Sequence, residues 1–203
     1  VLDLGSGGGK ICFIASQVVG SSGRVIGVDM NDEMLALARK ANSEVSQRLR
    51  YANVEFRKGK IQDLRIDRDM LDEWLKKNPI KSESDLIAFE SYVKQISETS
   101  PMIQDGSIDV VISNCVLNLV NHKDKTMLFQ EIYRVLKRGG RAAISDIVSD
   151  EPVPLELQQD TDLWSGCISG ALQAFEFLKA FEDAGFYGIT IAKRDDRPWR
   201  TVQ

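Results

Sequence analysis

Val1-Leu2-Asp3-Leu4-Gly5-Ser6-Gly7-Gly8-Gly9-Lys10 is the stretch whose reading decides the fold. A short apolar strand runs into a glycine-rich turn, and an apolar helical pattern follows from Lys10 to Val19. Glycines in such a turn reach left-handed backbone conformations and bring N–H groups close to a ligand at a helix mouth. The same alternation continues outward. Arg24 to Asp29 reads as a second strand ending in an acidic residue. Asn31 then caps a helix with Met34, Leu35, Leu37 and Ala38 on one face. Val54 to Phe56, Ile108 to Ser113 and Arg141 to Ile147 read as further strands, with a sixth at Gly188 to Ala192. Met127, Leu128, Ile132, Val135 and Leu136 mark a helix that Gly139-Gly140 is expected to close. Strand–helix alternation predicts an α/β, Rossmann-like fold, a mostly parallel sheet with helices on both faces.

One segment breaks the rhythm. Residues 65–104 carry two helical patterns, Asp67 to Lys77 and Glu83 to Ser97, separated by Asn78-Pro79. Ser82 and Asp85 stand at capping-box spacing for the second. A connection this long is either a helical hairpin packed on the sheet edge or a cover over the active site.

Composition narrows the class. The 203 residues are 43% hydrophobic and 28% charged, enough to build a core. A net charge of −4 argues against a general nucleic-acid binder. Apolar runs such as Ile108 to Ile112 are too short to cross a bilayer. Three cysteines, Cys12, Cys115 and Cys167, make no disulfide scaffold and predict a reducing, cytoplasmic location. Val1 opens inside a strand pattern, so further sequence is expected ahead of it.

Three nucleotide loops compete for Gly5 to Gly9. A phosphate-cradling Gly-x-x-x-x-Gly-Lys-Ser/Thr loop fails, because position 4 is leucine and position 11 isoleucine. A Gly-x-Gly-x-x-Gly dinucleotide loop would need glycine where Lys10 stands. What remains is Gly-x-Gly-x-Gly behind Asp3, with Asp29 closing the next strand 20 residues after Gly9. Asp29 is placed to accept hydrogen bonds from both ribose hydroxyls of an adenosine moiety. This arrangement resembles the S-adenosylmethionine (SAM) site of class I methyltransferases, through Asp29-Met30 and on to Gly59-Lys60-Ile61-Gln62. The resemblance implies SAM as cofactor, held by Asp3, Gly5, Ser6, Gly7, Gly9, Asp29 and Met30. It also implies Ile61 and Gln62 beside the adenine, and Ser113 and Asn114 facing the methionine portion.

Each cysteine alone reads as packing, since free cysteine is among the most buried residue types. Their positions say more. Cys12 sits early in the helix after the glycine loop, where a helix N-terminus favours thiolate. Cys115 follows the fourth strand and Cys167 lies after the fifth, both at the carboxyl edge where ligands of open sheets gather. Zinc would call for Cys-x-x-Cys pairs, and there are none. The single histidine, His122, is off ligand spacing and reads as a solvated loop residue. Three thiolates suit a soft, thiophilic centre, such as trivalent arsenic, whose lone pair stays free.

Val1 to Cys12, Ser113-Asn114-Cys115-Val116-Leu117-Asn118-Leu119 and Leu163 to Ala171 together resemble the arsenite methyltransferases. The Cys-x-x-Asn after the fourth strand is the most specific of these motifs, and Asp146 matches the family's strand ending. The chain departs from the family pattern at Lys10-Ile11, Gly166 and Ser169. The resemblance implies one methyltransferase domain over residues 1–203, incomplete at both ends, with the helical insertion at about 65–104. It implies catalytic Cys12, Cys115 and Cys167. Cys115 and Cys167 would hold arsenic(III), with Cys12 as a third ligand or a thiol–disulfide partner. The substrate would be arsenite or its thiol conjugates, turnover would require a thiol reductant such as thioredoxin or glutathione, and neither nucleic acid nor membrane would take part. Two other readings are a class I methyltransferase acting on a small organic acceptor, such as a quinone or lipid precursor, and a non-enzymatic binding module docking through the insertion. Exposure of Trp74, Phe89 and Tyr92 would favour the last.

Overall fold

The computed structural model describes residues 1–195. Five strands form one sheet: β1 (Leu2–Leu4), β2 (Val25–Asp29), β3 (Val54–Lys58), β4 (Ile108–Asn114) and β5 (Leu136–Ser145). Every neighbouring pair is parallel, in the order β3-β2-β1-β4-β5. The main helices are α1 (Lys10–Val19), α2 (Asp32–Leu49), α3 (Arg68–Lys77), α4 (Glu83–Thr99) and α5 (Lys125–Val135). Short α6 (Leu155–Gln158) and α7 (Thr161–Ser165) precede α8 (Ala174–Asp183). The chain winds from β1 outward to β3, then crosses back to lay β4 on the other side of β1. That reversal leaves a crevice at the carboxyl ends of β1 and β4, where open sheets bind ligands.

The two faces of β1 show how the layers are sorted. Strand side chains alternate. Leu2 and Leu4 enter the larger core, with Ile26, Val28, Val111, Leu128, Phe129, Ile132 and Phe181. Asp3 points the other way, toward Cys12, which packs with Val25, Leu35, Ala38 and Phe56. Helices α1 and α2 therefore cover one face, and α5 and α8 the other. Asn31 starts α2 as expected, its side chain accepting from the amides of Glu33 and Met34.

Residues 65–104 form a helical hairpin beside the edge strand β3. Its roots are stitched: the Met102 amide donates to Arg65 O (2.8 Å) and the Ile103 amide to Leu64 O (2.9 Å). Leu64, Met102 and Ile103 lie in the larger core. The body is lightly held, with no buried residue in α3 and only Ile96 in α4. Trp74 stacks on Tyr92 (centroids 5.2 Å apart) and leans on Phe89, so all three are half-buried against one another. Lys58 on β3 pairs with Asp72, and Arg39 with Asp69. The hairpin on the sheet edge is what the structure contains.

Two sequence expectations are corrected. Residues 188–192 form no strand: Gly185 (φ 108°) and Gly188 (φ 68°) turn the chain after α8, and Ile191 is 62% exposed. Alternating apolar residues supply a pattern but not a partner edge, and a strand needs both. Nor do Gly139-Gly140 close a helix. Helix α5 ends at Val135, and the glycines sit in an irregularity of β5, where the register to β4 shifts between Ile108 and Val110. Extra residues in one strand bulge out, and Gly139 takes the left-handed conformation this requires (φ 82°). As a result β5 begins five residues before Arg141 and ends at Ser145.

Candidate active site

The glycine loop is built around the end of β2. The Gly5 and Ser6 amides both donate to Val28 O (2.8 and 3.1 Å), and Gly9 N closes a turn on Ser6 O (2.9 Å). Gly5, Gly7 and Gly9 all have positive φ. At Gly5 an added Cβ would lie 2.3 Å from the Val116 side chain, whereas at Gly7 it would meet nothing within 4 Å. Gly5 is thus required by packing as well as conformation, and Gly7 by its left-handed conformation alone (φ 51°). Asp29 ties the loop to α2: Oδ2 accepts from the Gly7 amide (2.8 Å) and Oδ1 from the Asn31 amide (2.9 Å). Each carboxylate oxygen keeps a second lone pair for a ribose hydroxyl.

Asp3 lies beneath this loop, 3% exposed, and burial pushes its carboxyl up to about 6. The Cys12 thiol donates to its Oδ2 at 3.2 Å. Ser6 Oγ is buried without a hydrogen-bond partner. Met30 is 60% exposed beside Asp29, Ile61 packs in the larger core, and Gln62 next to it is half-buried. Ser113 Oγ donates to Leu4 O (3.3 Å), and Asn114 ends β4 in solvent. All these residues share the carboxyl edge. An orphaned hydroxyl, an open cradle at Gly7 and a strand-end carboxylate fit an adenosine-bearing cofactor.

The cysteines divide. Cys115 and Cys167 come together, the Cys167 Sγ donating to Cys115 O at 2.9 Å. Both sit in the left-handed region (φ 53° and 61°), where a β-carbon is strained. Cys115 is exposed and Cys167 is 7% exposed, so the pair opens outward through Cys115. Cys12 does not join them. It is fully buried under α1, and its thiol is held far above the usual range by burial and by Asp3. An added Cβ at Gly27 would lie 2.8 Å from its Sγ, so β2 closes over it. Among the described residues no group of three His, Cys, Asp or Glu is placed to hold a metal ion. The expectation that all three cysteines face one cleft is corrected, because Cys12 is buried in the smaller core. Cys12 lies on the α1 face of the sheet, because its partner Asp3 alternates away from Leu2 and Leu4.

Three residues organise the pair, and their roles were not read from the sequence. Asp146 Oδ2 accepts from the Leu117 amide (2.9 Å) and Oδ1 from the Ile147 amide (2.8 Å), while burial raises its carboxyl. Lys125 is 5% exposed and donates to Leu117 O (3.0 Å). Burial pushes its amine down to about 8 against the attraction of Asp146 and Cys167. Asn118 Nδ2 donates to Ile147 O (2.7 Å) and Cys167 O (3.1 Å). Burial, then Asp146 and Cys115, lifts the Cys167 thiol to about 11, and burial also raises that of Cys115. A signal for Lys125 existed, since it shares the apolar stripe of Leu128, Phe129 and Ile132 at i+3, i+4 and i+7.

A separate cleft of about 520 Å³ lies between α5, α8 and residues 152–158, lined by His122, Lys125, Phe129, Gln158, Leu172 and Ala180 among others. No glycine-loop residue and no cysteine reaches it. His122 on its rim is exposed as expected, though it begins a 3-10 turn (His122–Asp124) rather than lying in a loop. No helix among the described residues is long and apolar enough to cross a membrane.

A family profile described as "Methyltransferase domain" matches residues 1–91 and 76–185. The arsenite methyltransferase of Halobacterium salinarum is 37% identical over 196 residues, 97% of this chain and 39% of that protein. The human arsenite methyltransferase is 32% identical over 186 residues, 92% of this chain and 40% of that protein. The chain thus spans about two fifths of these relatives. A crystal structure of an arsenic(III) S-adenosylmethionine methyltransferase from Chlamydomonas reinhardtii superposes with a TM-score of 0.66. It is 31% identical, with 91% of this chain and 50% of that one covered.

Proposed function

The chain belongs to the methyltransferase-domain family, and from that premise we propose that it methylates trivalent arsenic held by Cys115 and Cys167, with SAM as donor. The observation that carries this reading is the left-handed cysteine pair, Cys167 Sγ 2.9 Å from Cys115 O, at the crevice edge that also carries the glycine loop. Arsenous acid and two thiols condense with loss of two water molecules, so the raised thiol pKa values do not bar binding. Bound SAM supplies a methyl group on a sulfonium, an electrophile that the arsenic lone pair takes as the carbon–sulfur bond breaks.

The chain's own part is binding and orientation. Asp29, the Gly7 amide and the cradle around it fix the nucleoside end. Ser113 and Asn114 stand between that end and Cys115. Asp146 takes the Leu117 N–H and Lys125 the Leu117 C=O, so the two peptide groups flanking Leu117 are fixed just beyond Cys115. Cys12, buried on Asp3, supports the cofactor end rather than acting as a third arsenic ligand. Methyl transfer leaves arsenic formally pentavalent, so continued turnover draws on a thiol reductant such as thioredoxin or glutathione. The cytoplasm supplies that reductant, and three free cysteines accord with it.

The test is arsenite titration followed by Trp164 emission, with direct arsenic counting, then methyl transfer from SAM in the presence of a thiol reductant. Trp164 lies three residues from Cys167. Cys115→Ser and Cys167→Ser are each expected to weaken arsenite binding about a thousandfold, or about 4 kcal/mol, with SAM affinity retained. Equal arsenite methylation by the parent and both variants would sink the reading. Methylation of a quinone acceptor without thiol would put an organic substrate in its place.

A further inference from the structure

The Cys-x-x-Asn motif is only half explained by its cysteine. We propose that Asn118 is a positioning residue that clamps the Cys167 loop to the Cys115 strand end, and so sets the separation of the two sulfurs. Its Nδ2 donates both to Ile147 O (2.7 Å), just past β5, and to Cys167 O (3.1 Å). One amide therefore bridges three segments that are remote in sequence. The side chain is 1% exposed, and its Oδ1 is buried without a partner. A buried amide that leaves its oxygen unsatisfied is retained for its two N–H groups.

The surroundings are shaped to this clamp. An added Cβ at Gly170 would lie 1.9 Å from Asn118 O, so only glycine lets the Cys167 loop approach so closely. Ser169 Oγ donates to Leu157 O (2.6 Å) and anchors the far side of that loop. The Cys115 amide donates to Ser145 O (2.8 Å), fixing the other cysteine to the end of β5. Among the described residues, only the Asn118 amide and the Cys167 thiol hydrogen-bond the loop directly to the strand end. The thiol is itself consumed when it binds a thiophilic substrate, which leaves the amide to hold the geometry.

This inference rests on the arsenic-binding reading, so its test includes a probe independent of arsenic. Dibromobimane links two thiols only when they are close, and Cys12 is too buried to compete. Parent protein is expected to cross-link Cys115 to Cys167. Asn118→Ala and the isosteric Asn118→Asp, which lacks the donor, should cross-link at least tenfold more slowly. The same variants should bind arsenite at least tenfold more weakly, with one arsenic–sulfur bond fewer by X-ray absorption. SAM affinity should stay at the parent's value and melting should remain cooperative, at a lower temperature because Ile147 O and Cys167 O lose their donor, which separates positioning from loss of fold. Cross-linking by Asn118→Asp at the parent's rate would overturn the clamp. If the parent cross-links but arsenite gives no protection, the arsenic reading fails while the clamp is still judged by the Asn118 rates.

Discussion

The glycine loop and the cysteine pair solve one backbone problem in opposite ways. The glycine loop follows β1, Cys115 follows β4 and Cys167 follows α7, and each takes the left-handed conformation: Gly5, Gly7 and Gly9 on one side, Cys115 and Cys167 on the other. Glycine takes that conformation without a β-carbon to strain, and what it presents is backbone N–H. Cysteine takes it at a cost, and what it presents is sulfur. The carboxylates beneath them differ as well. Asp3 has a thiol as its side-chain hydrogen-bond partner, whereas Asp146 receives two backbone amides and lies near a buried lysine. Strain accepted at the cysteines and avoided at the glycines separates a surface that presents sulfur from one that presents backbone N–H groups.

The sharpest way to break this comparison is Gly5→Ala. The added carbon meets Val116 at 2.3 Å in a left-handed backbone, and we expect a loss of about 4 kcal/mol by urea unfolding, with SAM binding lost. A loss under about 1 kcal/mol would show that the loop tolerates what the cysteines tolerate. Next in size is Asp3→Asn. A carboxyl raised from 3.8 to about 6 favours folding below its unfolded value, and that contribution disappears as pH rises through about 6. The parent should therefore lose about 3 kcal/mol between about pH 4 and about pH 7 that the asparagine variant keeps. Parallel stability–pH curves would refute the buried charge.

The smallest effects have opposite signs. Gly7→Ala adds a β-carbon in open space, so only conformation is charged, about 1 kcal/mol. Cys115→Gly removes a β-carbon from the same backbone region and should raise stability by about 0.5 kcal/mol, the relief of strain being partly offset by a freer unfolded chain. Calorimetric melting of both variants checks the pair. Destabilisation by Cys115→Gly would mean that the cysteine conformation is unstrained.

Much of this was legible in order along the chain. Helix α1 begins and ends where its pattern does, because a glycine turn opens it and Gly20 closes it. The caps at Asn31 and Ser82 are local hydrogen bonds, and local sequence contains both partners. Arg141 to Ile147 was misplaced because a bulge depends on the neighbouring strand's register. Residues 188–192 read as a strand because alternation carries no information about a free edge. The site divides similarly. Asp29 meets the glycines because β1 and β2, joined by one helix, pair side by side, whereas Cys12, Cys115 and Cys167 were joined by their places along the chain without knowing which face each takes.

By itself the sequence determined the parallel α/β alternation, the glycine loop with its strand-end carboxylate, and the cysteines beyond β4 and β5. Periodicity, capping and turn chemistry act within a few residues, so they survive in one dimension. Only the tertiary structure decided that the Cys167 thiol reaches the Cys115 backbone and that Cys12 is buried against Asp3. It also decided that Asn118, Asp146 and Lys125 frame the pair. Those outcomes depend on which face of β1 each side chain takes and on how closely a loop some 50 residues away can approach Asn118, 49 positions before Cys167. Side-chain alternation and close packing settle such questions in three dimensions.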